Sequence, residues 1–212
     1  MNAAPVRVDF IADVCCPWCY ISWRALDVAI ASASGVAFDR RWGVFLLRPD
    51  TPKEGFDRKA YLEKLFADQP ERARAARAAL QAAADDAGAP LNLDAARTMP
   101  NTMNAHRLIV WATGQSRFVE MVDALFRAYF VEGRDIGNDG VLGDVSAEVG
   151  LDRDIVATLL AGDADWSRVA DAHNAAVTAG VRGVPVVVFN QKFARQGSES
   201  VSAYRLLLQQ AI

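Results

Sequence analysis

The sequence predicts an α/β fold in which a β-α-β unit near the start and a β-β-α unit near the end flank a large all-helical insertion. Three observations carry this. Strand-like segments occur only toward the two ends of the chain. Residues from about 57 to 180 read as successive helices with no convincing strand. All three cysteines fall in Cys15-Cys16-Pro17-Trp18-Cys19, where the first strand hands over to the first helix.

The elements follow in order. Val6-Arg7-Val8-Asp9-Phe10-Ile11-Ala12 is rich in β-branched residues and reads as a strand. From Tyr20 to Ala33, Ile21, Leu26, Ala29 and Ile30 form a rough apolar helix face, which Gly35 ends. Strand character resumes from Val36 to Leu47, and Arg48-Pro49-Asp50-Thr51-Pro52 is a turn cluster leaving the sheet. Within the insertion, Tyr61 to Phe66 is one helix. Glu71 to Ala87 is an Ala- and Arg-rich helix closed by Gly88 and Pro90, its arginines reading as a solvated face. Asn101-Thr102 caps a helix carrying Ala105, Leu108, Ile109 and Ala112. Further helices run near 117–130, 139–149, 152–160 and 164–179, without a fixed repeat period. Val184 to Asn190 returns to strand, Asn190-Gln191 turns, and Lys192 to Gly197 pairs back. Ser200 to Gln210 closes as a helix with Val201, Tyr204, Leu207 and Leu208 on one stripe. This order is that of a thioredoxin fold with a large all-helical insertion after its second strand. The expected division is 1–50 with 181–212 for the thioredoxin-like domain, and 51–180 for the inserted helical domain.

Composition narrows the function classes. A chain of 212 residues, 52% hydrophobic and 23% charged, has ordinary globular composition. Its net charge of -3 offers no basic footprint for nucleic acid. No apolar run approaches the ~18 residues of a membrane span. The opening Met1-Asn2-Ala3-Ala4-Pro5-Val6-Arg7 lacks the basic and apolar regions of a signal peptide, so a cytoplasmic location is expected. In that reducing compartment a reactive disulfide is at home and a structural one is not.

A Cys-x-x-Cys at a strand–helix junction points to dithiol–disulfide exchange. Cys16 precedes Pro17, which suits the first helical position, so Cys16 is expected as the N-cap. Its sulfur would then face the free N–H groups of Trp18 and Cys19, which with the helix dipole favour a thiolate. Cys19 falls one turn later on the same face, suiting an exposed attacking sulfur and a more buried resolving one. Trp18, between them, is placed to contact substrates. A zinc site needs further ligands, and only Cys15, His106 and His173 are on offer, without a spacing signature, so no metal is expected. Cys15 reads as a small buried residue leaving the strand, or as a thiol able to attack a neighbouring disulfide. Asp13 either relays protons to Cys19 or fills a turn. His173 reads as a helix-surface residue. Asn101, Asn104 and His106 share a dense polar run, read either as a wall facing the active site or as a cap plus a buried, hydrogen-bonded histidine. Gly183-Val184-Pro185-Val186 puts a proline at a strand start.

Asp9-Phe10, Asp13 and Cys16-Pro17-Trp18-Cys19-Tyr20-Ile21 together resemble the cytoplasmic, FrnE-like branch of the DsbA-like thioredoxin family. So do Pro100-Asn101-Thr102 with Ala105-His106-Arg107-Leu108, Phe130-x-Glu132-Gly133-x-Asp135-Ile136, and Gly183-Val184-Pro185. The likeness covers nearly the whole chain. It implies Cys16 as nucleophile, Cys19 as resolving thiol, and Val184-Pro185 as a cis pair beside the dithiol. The implied activity is thiol–disulfide exchange with a protein or small-thiol partner, without a bound cofactor, glutathione being a possible co-substrate. The same inserted fold resembles 2-hydroxychromene-2-carboxylate isomerases and kappa-class glutathione transferases. Those carry serine at the nucleophile position, where this chain has Cys16. Nothing in the pattern fixes an oligomeric state.

Overall fold

The computed structural model describes residues 4–212. Residues 1–3, part of the segment expected to lack a targeting sequence, lie outside the described residues. Along the chain come β1 (Val6–Ala12), α1 (Pro17–Ala31), β2 (Phe38–Val44), β3 (Phe56–Asp57), α2 (Arg58–Leu65) and α3 (Pro70–Asp86). There follow β4 (Thr98–Met99), α4 (Met103–Gly114), α5 (Phe118–Phe130), α6 (Asp139–Glu148), α7 (Arg153–Ala161) and α8 (Trp166–Thr178). The chain ends with β5 (Val186–Phe189), β6 (Phe193–Gln196) and α9 (Val201–Ala211). No helix of the described residues is long and apolar enough to cross a membrane.

Two compact units result. The first takes the chain through Leu47, then Ala78–Pro90 and Ala172–Ile212; the second takes Arg48–Arg77 and Leu91–Asp171. Residues 78–90 and 172–180, expected within the helical domain, therefore belong with the first unit. Hydrogen bonds explain why. Tyr20 donates its hydroxyl to Pro90 O (3.0 Å), Val201 N donates to Asp86 (3.4 Å), and Leu46 N donates to His173 Nδ1 (3.1 Å).

The first unit is built on a four-stranded sheet of order β2-β1-β5-β6. β1 runs parallel to β2, with Val6 opposite Phe38, and antiparallel to β5, with Val8 opposite Phe189. Every second residue of β1, Val6, Val8, Phe10 and Ala12, is buried, as strand alternation requires. The β5–β6 hairpin turns on Asn190 and Gln191, both at positive φ (48° and 56°), the conformation that matches the twist of paired strands. Asn190 also anchors the sheet: its Oδ1 accepts from Arg7 N (2.8 Å) and its Nδ2 donates to Ala211 O (2.7 Å). α9 packs on α1. Phe10 meets Trp23 edge-on at 5.3 Å, and Arg40 lies 3.9 Å over the Trp23 ring.

The second unit is mostly helical, but it is not strand-free as expected. β3 and β4 form a two-residue antiparallel pair, Phe56 opposite Met99 and Asp57 opposite Thr98. Its core is the apolar face of α5, with Met121, Leu125, Phe126, Tyr129 and Phe130 all buried, met by Leu108 and Ile109 of α4 and Leu142 and Val145 of α6. α6 and α7 start on side-chain caps: Asn138 accepts from Gly140 N and Val141 N, and Asp152 from Asp154 N and Ile155 N. Glu132, Arg127, Arg134 and Glu148 close an alternating ion-pair ring across the α5–α6 connection.

Candidate active site

The first unit positions the cysteines. Cys16 is the N-cap of α1 in extended backbone (φ -89°, ψ 117°), with proline at the first helical position. That geometry follows from Pro17, which bars a helical residue before it and needs no donor of its own. The Cys16 N–H bonds back to Asp13 O at 3.1 Å, and Tyr20 N donates to Cys16 O at 3.1 Å, which fixes the junction. All three cysteines are thiols. The Cys16 side chain makes no capping bond to the helix N–H groups, contrary to expectation. Its Sγ instead points across to Val184 O, 3.9 Å away. A thiol carries a proton to donate, so a carbonyl satisfies it where a helix N–H would not.

The Val184–Pro185 peptide bond is cis. Pro185 O accepts from Gly197 N (2.8 Å), which holds the start of β5 beside β6. Trp18 is half-exposed at the second position of α1.

The three sulfurs differ in setting. Cys19 is 0% exposed, Cys16 5% and Cys15 8%. Burial pushes the Cys19 thiol well above the ordinary thiol range, and its hydrogen bond to Cys16 adds to this. Burial also raises Cys15 well above that range, reinforced by the charge of Asp13. Both therefore keep their protons at neutral pH. Asp13, 1% exposed, accepts from Leu47 N through Oδ2 at 2.8 Å. Its carboxylate thus ties the segment after β2 to the loop that carries the cysteines.

One expectation changes. His173 is not a surface residue. It is half-buried, its Nδ1 accepts from Leu46 N, and its ring meets Phe45 edge-on at 5.2 Å. Of the two readings of His106, its 0% exposure matches the buried histidine. At ~100° per residue His106 lies ~200° from Asn104 around α4, whereas Arg107 comes back within ~60° of it.

Asn101, Asn104 and Arg107 line a cavity of about 170 Å³ within the second unit, closed by Lys53, Trp166 and the end of α7. Asn101 bridges by donating to Thr51 O (2.6 Å) and accepting from Met103 N (3.0 Å). Asn104 donates to Asp139 (2.7 Å). Arg107 is the cavity residue that the polar run does not single out; its spacing of one turn from Asn104 is the signal in the sequence that points to it. Among the described residues no three His, Cys, Asp or Glu side chains gather into a metal-binding cluster.

Comparison with known proteins adds the following. The DSBA-like thioredoxin domain family matches residues 7–209. The crystal structure of a probable DsbA oxidoreductase from Streptomyces coelicolor, SCO1869, is similar with a TM-score of 0.86 and 27% identity, over 97% of this chain and 89% of that one. A 2-hydroxychromene-2-carboxylate isomerase is similar at TM-score 0.70 and 20% identity, over 97% and 93% of the two chains. The cytosolic disulfide reductase DsbM from Pseudomonas aeruginosa, solved with GSH, is similar at TM-score 0.63 and 19% identity, over 96% and 98%. At such identities the last two likenesses concern the fold alone.

Proposed function

The chain belongs to the DSBA-like thioredoxin domain family, and from that premise we propose that it is a thiol–disulfide oxidoreductase working through Cys16 and Cys19. The observation that carries this is a complete dithiol at the start of α1, with the Cys16 sulfur facing Val184 O at 3.9 Å.

Cys16, as thiolate, attacks one sulfur of a substrate disulfide. A Cys16–substrate disulfide forms and the other substrate sulfur leaves as a thiolate, taking up a proton. Cys19 then gives up its proton and attacks the Cys16 sulfur. The mixed disulfide breaks, the second substrate thiol departs with a proton, and a Cys16–Cys19 disulfide remains. Two electrons have passed from the dithiol to the substrate. A thiol co-substrate such as glutathione restores the dithiol by the same steps in reverse, a reading in keeping with the GSH held by DsbM. The raised pKa of Cys19 suits this order, since a resolving thiol that holds its proton leaves the first attack to Cys16 and becomes a nucleophile only once the mixed disulfide has formed. Trp18, Val184 and Pro185 supply the substrate-facing surface, and the cytoplasm is the proposed setting.

The likeness to the isomerase favours one alternative: glutathione activation at the Cys16 position for isomerisation or transfer, with no resolving step. One experiment separates the two. Cys16→Ser and Cys19→Ala should each abolish catalytic reduction of insulin, and Cys19→Ala should trap mixed disulfides detectable by mass spectrometry. Robust chromene isomerisation or glutathione conjugation that survives Cys19→Ala would move the protein to the alternative class.

A further inference from the structure

The cavity in the second unit has a floor that packing does not explain. Arg107 is 1% exposed. Its Nε donates to Ala164 O (2.6 Å), its Nη1 to Asn104 Oδ1 (2.8 Å), and its Nη2 to Leu159 O (2.6 Å) and Gly162 O (2.9 Å). Two of these carbonyls terminate α7, so Arg107 caps that helix, and this accounts for its position. It does not account for its charge. All four acceptors are neutral, and one guanidinium N–H, on Nη1, is left over. The surrounding carboxylates Asp139, Asp163 and Asp165 act on it through space, without a hydrogen bond. Asp139 is committed to Lys53 (3.4 Å) and Asn104 (2.7 Å), and Asp165 to Trp111 Nε1 (2.9 Å) and Arg168 (3.7 Å). A buried cation without a contact counter-ion is costly, and an anion that reaches it recovers much of that cost.

The space for such an anion adjoins it. The cavity of about 170 Å³ is lined by Arg107, Asn104 and Asn101 together with the exposed Lys53 and half-exposed Trp166 side chains. We propose that this cavity binds a small monocarboxylate, its carboxylate group set between the Arg107 guanidinium and the Lys53 ammonium and its carbon skeleton against Trp166. Charge selects a monoanion, because Asp139 beside Lys53 and the nearby Asp163 and Asp165 oppose a second negative charge. Planarity selects a carboxylate, which matches a guanidinium edge. Size selects a short one, since the volume lies below the ~300 Å³ at which drug-sized sites begin. The site belongs wholly to the second unit and does not depend on the dithiol chemistry.

The probes are sodium acetate, its neutral isostere acetamide, and N-acetylglycine, titrated into the full-length protein at constant ionic strength. Binding is read from the Trp166 indole resonance and by calorimetry. Acetate should bind saturably with a Kd on the order of millimolar, and acetamide should not bind. Lys53→Ala, at an exposed position where folding is not at stake, should weaken acetate about tenfold. Arg107→Lys should weaken it further if the variant folds. N-acetylglycine binding more tightly than acetate would assign the site to a peptide C-terminus, and binding more weakly would assign it to a free acid; either supports the carboxylate. Non-saturable shifts, equal responses to acetate and acetamide, or unchanged affinity in Lys53→Ala would leave Arg107 as a helix cap only and overturn the proposal.

Discussion

Removing the Tyr204 hydroxyl should destabilise the first unit through Ser22, the residue it bonds. Ser22 lies one turn beyond Cys19 on α1, Tyr204 comes from α9, and the two hydroxyls hydrogen-bond with both residues at 0% exposure. Tyr204→Phe keeps the ring and its packing, so no cavity term arises. It leaves Ser22 Oγ buried without that partner, which costs ~1–3 kcal/mol, against ~0.5–1.5 kcal/mol for the net worth of an ordinary hydrogen bond. At ~2–4 °C per kcal/mol for a chain of this size, Tm should fall by ~2–12 °C. Ser22→Ala removes that partner from the Tyr204 hydroxyl, which keeps its bond to the Glu199 backbone, so its loss should be the smaller of the two. The double variant removes both polar groups, so its loss should be smaller than the sum of the single losses by ~0.5–3 kcal/mol. Burial also raises the Tyr204 pKa above its ordinary value of 10.0. A raised folded-state pKa gives stability that is present below the unfolded value and lost above it. The gap between the parent protein and Tyr204→Phe should therefore narrow as pH climbs past about 10. Thermal unfolding followed by circular dichroism across the four proteins reads all of this. Single variants within ~0.5 kcal/mol of the parent, or strictly additive losses, would refute the buried-pair reasoning.

Two further outcomes follow from the charges and thiols. The Glu148 carboxylate is held below its ordinary pKa, chiefly by its hydrogen bond to Arg134, so its contribution to stability is present above the usual carboxylate range and lost as pH falls through the depressed value. Glu148→Gln should be less stable than the parent at pH 7 and indistinguishable from it near pH 2; a pH-independent difference in urea midpoints would count against the ion-pair ring. Iodoacetamide at neutral pH should label Cys16 faster than Cys19, which is 0% exposed and whose proton is held by burial, and the thiols should react alike in urea. Peptide mapping that finds Cys19 labelled first would reverse the assignment of the attacking sulfur.

Local patterns were legible wherever a short-range rule governs them. Alternation at Val6, Val8, Phe10 and Ala12 announced β1, and the Ser200 cap with Tyr204, Leu207 and Leu208 announced α9. Pro17 placed the N-cap at Cys16, because the restriction a proline imposes on its predecessor acts over a single peptide bond. The motif runs were dense enough to identify the family across nearly the whole chain. The β3–β4 pair has no signature in the sequence, since two residues per strand leave no period to read. The separation of His106 from Asn104 follows from helix angle, whereas polarity alone groups Asn101, Asn104 and His106.

What the sequence determined by itself, then, is the kind and order of the elements and the chemistry at the head of α1: two thiols one turn apart beyond a strand. Only the tertiary structure decided what those thiols meet. Cys16 faces the carbonyl of Val184, 168 residues away, because β1 and β5 pair in one register among many that their apolar patterns allow. His173 left the surface because Leu46, 127 residues distant, offers an N–H that no helix rule foresees. Residues 78–90 and 172–180 joined the first unit through bonds of the same long-range kind. Arg107 became a buried cation on a cavity floor because the turn after α7 folds its carbonyls onto it. Propensity, capping and periodicity act over a few residues and can be read along the chain. Register, burial and the company a charge keeps depend on which distant segments close on one another, and they come into existence only with the fold.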